Sequence, residues 1–141
     1  CSYLFRIERL ISHYSFGPAA RYDRTAFSEH LHPQLETVCL APAKFKGRLT
    51  SFTVIGDRQL ERDLWMQERA ESNGGGIGTL TMRGSQSDYL GSLPYDAAWR
   101  NQTLILAGGL RFIYLHGATM LRGSARIKWI AFYTEFDPDD V

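Results

Sequence analysis

A chain of 141 residues fits one globular domain, residues 1–141, and leaves no room for a second with a core of its own. Hydrophobic content of 44% and charged content of 22% exclude general disorder, and a formal net charge of +1 excludes a global field that would draw in nucleic acid or an anionic membrane. No apolar run reaches the ~20 residues that a membrane-crossing helix needs.

Cys1 and Cys39 are too few for a disulfide framework and lack zinc-type spacing, so the chain reads as soluble and cytoplasmic, with Cys39 a small buried residue. The opening Cys1-Ser2 in place of Met reads as processing or truncation. A lipid-modified cysteine is the lesser reading, because Tyr3-Leu4-Phe5 follows with no polar tether.

Leu4, Ile7, Ile11 and Tyr14 recur at steps of three and four, which predicts a first helix ended by Gly17-Pro18. Residues 34–41 and 48–55 ("RLTSFTVI") are rich in strand formers and six residues apart, which predicts an antiparallel hairpin. Asp57 is a predicted N-cap for a second helix over 58–72, closed by the glycines 74–76.

"IGTLTMR" (77–83) alternates as a strand with one wet face, and 84–91 reads as a loop. Ser92, Pro94, Asp96 and the exit Gly108-Gly109 punctuate a third helix over 94–107. Residues 110–116 and 125–136 are the last strands, and alternation in the second puts Ala125, Ile127, Trp129 and Ala131 on its buried face. The pairs Lys46-Gly47, Arg83-Gly84 and Arg122-Gly123 each adjoin a strand, where glycine marks a turn or bulge.

The fold class that follows is mainly β (α+β): an antiparallel sheet or partly open small β-barrel of about five or six strands, with the 94–107 helix packed against it.

One stretch, "EHLHPQLE", sets His30, His32 and Glu36 on one side of an extended chain, with Leu31 and Leu35 on the other. Two imidazoles and a carboxylate suit a divalent metal such as Zn, Fe, Mn or Ni. The spacing His-x-His-x-x-x-Glu resembles the first metal motif of the cupin family, over about seven residues. That resemblance implies a small antiparallel barrel and a metal-dependent enzyme or small-molecule sensor, with His116 as the further ligand. The family's glycines before and after the motif are not matched, since Arg24 stands in the first place and the next glycine after Glu36 is Gly47. The ordinary alternative for these residues is a solvated strand edge.

Other chemistry is sparser. "NGGGIG" follows a predicted helix and precedes a strand, the reverse of a phosphate loop, so it reads as a connection. Basic residues cluster at Lys44, Lys46, Arg48 and again at Arg122, Arg126, Lys128, but a buried Trp129 would deny nucleic acid a stacking surface. No G-x-S-x-G elbow occurs. The leading expectation is therefore a small non-enzymatic binding domain for a small molecule or protein partner, working through a cleft beside the sheet or as a homo-oligomer. The alternative is the cupin-like metal protein, and nucleic-acid binding is the weakest.

Overall fold

A computed structural model of the chain describes residues 1–18, 27–57, 76–137 and 139, and for residues 18, 27–30 and 57 the backbone alone. Seven strands run in the order β1 (Ser2–Pro18), β2 (Phe27–Ala41), β3 (Leu49–Asp57), β4 (Gly78–Arg83), β5 (Gln86–Pro94), β6 (Phe112–Gly117) and β7 (Ser124–Tyr133). One helix, α1 (Tyr95–Leu106), lies between β5 and β6. The sheet closes into a barrel in the order β1-β2-β3-β5-β4-β7-β6, so the expected small barrel with a packed helix is what forms. All neighbours are antiparallel except β3 and β5, which run parallel.

Three expectations change. The first segment is a strand, because Tyr3, Phe5 and Ile7 face the core and β2 and β6 supply partners on both sides. A register shift between Ile7 and Arg9 inserts Glu8 as an extra residue, after which Leu10 points inward. Beyond this β-bulge Ile11 and Tyr14, which the helical spacing grouped with Leu4 and Ile7, lie exposed. The span taken as a loop is largely β5, and Ser92 belongs to that strand, leaving Pro94 at the helix start. The helix predicted over 58–72 and its glycine exit at 74–75 lie outside the described residues.

The interior is solid. Tyr3, Phe5, Leu35, Cys39, Phe52, Leu80, Tyr89, Ile113, Leu115 and Ile127 are all at most 2% exposed. Phe5 and Tyr89 each contact Phe52, at ring separations of 4.9 and 5.0 Å, which gives the core an aromatic spine. Tyr89 lies over two glycines: a Cβ at Gly78 would sit 2.7 Å from its Cζ, and one at Gly91 2.6 Å from the same atom. Gly78 and Gly91 are register partners, so together they make the hollow that holds the ring.

Each end of the barrel is shut by a different device. At one end Gly47, Gly84 and Gly123 all adopt positive φ, as turns after basic residues require. Arginines lace these turns together: Arg48 donates to the carbonyls of Gly84 and Gln86 at 2.6 and 2.8 Å, and Arg83 donates to the Arg122 carbonyl at 3.0 Å. At the other end α1 covers the mouth, close enough that a Cβ on Gly56 would stand 3.3 Å from that of Ala98. The space left among Leu35, Val54, Leu93, Ile105 and Phe132 is about 10 Å³, at or below what one water needs. Ser12 donates to Gln102 Oε1 at 2.6 Å and gives the oxygen of that buried amide a partner.

Two outcomes are expected. Gly91→Ala loses about 1–3 kcal/mol of unfolding free energy in a urea titration, through overpacking against Tyr89, and adding Tyr89→Leu recovers part of that loss. Burial pushes the Cys39 thiol from its ordinary 9.0 up to about 11. The unfolded chain then loses that proton first, so the thiol's contribution is whole below pH 9 and falls as pH rises toward 11. Relative to Cys39→Ala, the parent's urea midpoint should decline across this interval.

Candidate functional site

The residues first singled out for metal binding are spread along the barrel. β2 continues unbroken through His30, His32 and Glu36, and buries Leu31, Pro33 and Leu35, so His32 and Glu36 face outward. At ~3.3 Å per residue, His32 and Glu36 stand ~13 Å apart along the strand. His32 is the register partner of His13, Glu36 that of Arg9, and His30, placed by its backbone alone, that of Ser15. His116 is on β6 opposite Ser2, eleven residues along β1 from His13. Among the described residues no three His, Cys, Asp or Glu side chains gather as a metal would require.

What does gather is a set of aromatics around His116. The hydrogen-bond register pairs His116 with Trp129, but Gly117 with Ile127, so Lys128 is an extra residue in β7. This bulge reverses the parity of the strand. Ala125 and Ile127 face in before it, and Ile130 and Phe132 pack against the core after it. Trp129 is consequently 62% exposed, not buried among Ile127 and Ala131 as simple alternation would have it. Gly117 permits the distortion, because a Cβ there would run into the Arg126 carbonyl oxygen.

The outer face of β6 and β7 therefore carries Tyr114, His116, Trp129 and Tyr133, and Phe136 folds back onto it from just beyond β7. The Phe136 ring stacks on Tyr114 at 5.6 Å and 24°, and meets Tyr133 edge-on at 4.9 Å and 61°. These five residues line an open recess of about 400 Å³. Ala131, opposite Tyr114 in the register and between Trp129 and Tyr133 on β7, is the small residue that leaves the space.

One wall of the recess has a polar seam. The Ser2 hydroxyl lies 2.7 Å from Tyr114 Oη and 3.0 Å from His116 Nδ1, so a residue of β1 holds both side chains in place across the barrel closure. The serine hydroxyl can both donate and accept, so it bridges phenol and imidazole with either tautomer of the ring.

A second hollow, about 340 Å³, lies on the outer side of β3, β5, β4 and β7 between Ile55, Ile77, Thr79, Leu90, Ser92 and Arg126. Its lining mixes aliphatic and glycine surface with Thr79, Ser92 and Arg126 and has no aromatic wall. The basic cluster at 44–48 is absorbed into the turn: Lys44 lies 4.8 Å over the Phe45 ring, and Arg48 is spent on the neighbouring carbonyls.

Comparison with protein families, with characterised proteins and with solved structures finds no match for this chain. No helix among the described residues is long and apolar enough to cross a membrane.

Sequence reasoning missed the aromatic recess because it extended the alternation of β7 through position 129. The available signal was Gly117, a glycine inside a strand pattern beside a tryptophan-bearing strand. Trp129→Ala should change unfolding free energy by only about 0.5 kcal/mol, the range for surface positions, whereas a core tryptophan would cost about 3–5 kcal/mol. Urea denaturation of the two proteins measures the difference.

Proposed function

We propose that the chain is a small non-enzymatic binding domain that works through the aromatic recess on β6 and β7. The observation that carries this reading is Trp129, a large ring left 62% exposed beside Tyr114, His116, Tyr133 and Phe136. Leaving such a surface to water forgoes the burial that most large apolar side chains find, and concave aromatic surface with a few polar atoms is the usual character of ligand sites. Among the described residues the core side chains fill the barrel, and α1 covers its mouth with about 10 Å³ left beneath it.

The cupin-like metal reading has less behind it. It needs His30, His32, Glu36 and His116 around one ion, and the strand register spaces Glu36 and His116 away from His32. Nucleic-acid binding gains a stacking surface from the exposed Trp129 and has Lys128 beside it, but the overall charge of +1 supplies little attraction for a polyanion.

The test uses protein labelled with fluorotryptophan at its three tryptophans, Trp65, Trp99 and Trp129. In a fluorine NMR screen against a fragment library, hits should move the Trp129 resonance and leave the others in place, and Trp129→Leu should abolish them. Hits that move only Trp65 or Trp99, or no hits at all, would remove the recess as the site.

A further inference from the structure

Resting on that reading of the recess as the binding site, we propose that the group it takes is a quaternary ammonium, held by aromatic faces in place of hydrogen bonds. The lining contains four aromatic rings and one imidazole, and no Lys, Arg, Asp or Glu. An anion would find no cation in the walls, and a sugar, with hydroxyls on every side, would leave most of them unpaired on desolvation. Of the polar atoms of these five residues, Tyr114 Oη and His116 Nδ1 are already joined through Ser2, which leaves only Tyr133 Oη, Trp129 Nε1 and His116 Nε2 for a ligand.

Shape separates the remaining candidates. A flat heterocycle is best held between two parallel rings, whereas Tyr133 stands at 61° to Phe136, which is itself nearly parallel to Tyr114. These rings touch one another, so a ligand lies against their open faces and not between them, and faces inclined in this way fit a rounded group better than a flat one. A tetrahedral ammonium bearing methyl groups is rounded, donates no hydrogen bond and carries the charge that the negative faces of aromatic rings attract.

The charge around the recess agrees at one end. Glu135 and Asp137 flank Phe136 and are exposed. Lys128 adjoins Trp129, which lies ~13 Å from Tyr133 along β7. The cation is therefore assigned to the end formed by Tyr114, Tyr133 and Phe136, with Trp129 as the outer wall and any anionic portion of the ligand turned toward Lys128.

The experiment compares three probes by NMR titration of the labelled Trp129 resonance: tetramethylammonium, choline, and the neutral carbon isostere of choline in which tert-butyl replaces trimethylammonium. Choline should bind roughly tenfold more tightly than the isostere, as one cation–π contact of moderate strength predicts. Tyr133→Leu should abolish that difference, while Tyr133→Phe, which keeps the ring, should retain it. Circular dichroism of each variant confirms that it is folded. Equal binding of choline and the isostere would leave the recess a binding site and overturn the cationic ligand. Tighter binding of adenosine monophosphate than of choline would overturn it in favour of a stacked base. Failure of every probe, together with no Trp129 response in the fragment screen, would bring down both this proposal and the reading beneath it.

Discussion

Five residues at the start of β1, Ser2 to Arg6, hydrogen-bond to Phe112–His116 and turn an open sheet into a barrel. Without that seam the two edge strands would present unpaired amides and carbonyls, and Tyr3, Phe5, Ile113 and Leu115 would lose their enclosure. The seam also sets the functional geometry. Because Ser2 is the register partner of His116, its hydroxyl reaches both His116 and Tyr114, so closing the barrel and fixing one wall of the recess are the same event.

The barrel is small enough that side chains consume its interior, and this decides where function can lie. Larger closed sheets hold ligands inside; this one holds Phe52 and Tyr89. Its ends are equally committed, one to α1 and the other to three turns laced by Arg48 and Arg83. Of the basic residues that recur beside the turn glycines, Arg83 makes such a link, and Arg48, just past Gly47, makes the other. The glycine supplies the positive φ, and in two of the three pairs of strands an arginine from a neighbouring turn satisfies carbonyls that the turn leaves exposed. The recess accordingly lies on the outer face.

Much of the fold was legible in local chemistry. The strands near 34–41, 48–55, 77–83, 110–116 and 125–136 and the helix near 94–107 follow from alternation, β-branched content and caps, and they correspond to β2, β3, β4, β6, β7 and α1. What was not legible arises from places where one residue breaks the period. Glu8 is inserted in β1 and Lys128 in β7, and each insertion flips the side chains beyond it to the opposite face. β5 was hidden by its glycine for a related reason. Gly91 resembles loop punctuation until it is seen that the Tyr89 ring, two residues away on the same face, occupies the place of its side chain. Contacts of that kind depend on Gly78 across the sheet, and a local reading has no access to the partner. The same limit applies to His30, His32 and Glu36. Their spacing suggested convergence, but convergence is a property of neighbouring strands, and the neighbours bring Ser15, His13 and Arg9.

The bulge at Lys128 is best understood as the reconciliation of two demands on one strand. Near the turn end, β7 must place Ala125 and Ile127 inside, at 1% and 0% exposure. Near the helix end, the core accepts Ile130 and Phe132, and α1 leaves only about 10 Å³ beside Phe132. A regular strand would instead send Trp129 and Ala131 inward. The indole would then take the place that Ile130 occupies against the core, and Phe132 would move to solvent. Adding one residue resolves the conflict at the cost of an unpaired position in the ladder, where Gly117 gives the backbone room to distort. Its consequence is an exposed Trp129 aligned with Tyr133 and facing His116. The recess thus arises from the packing of the core, and a change that restored regular alternation to β7 would remove the site and disturb the barrel together.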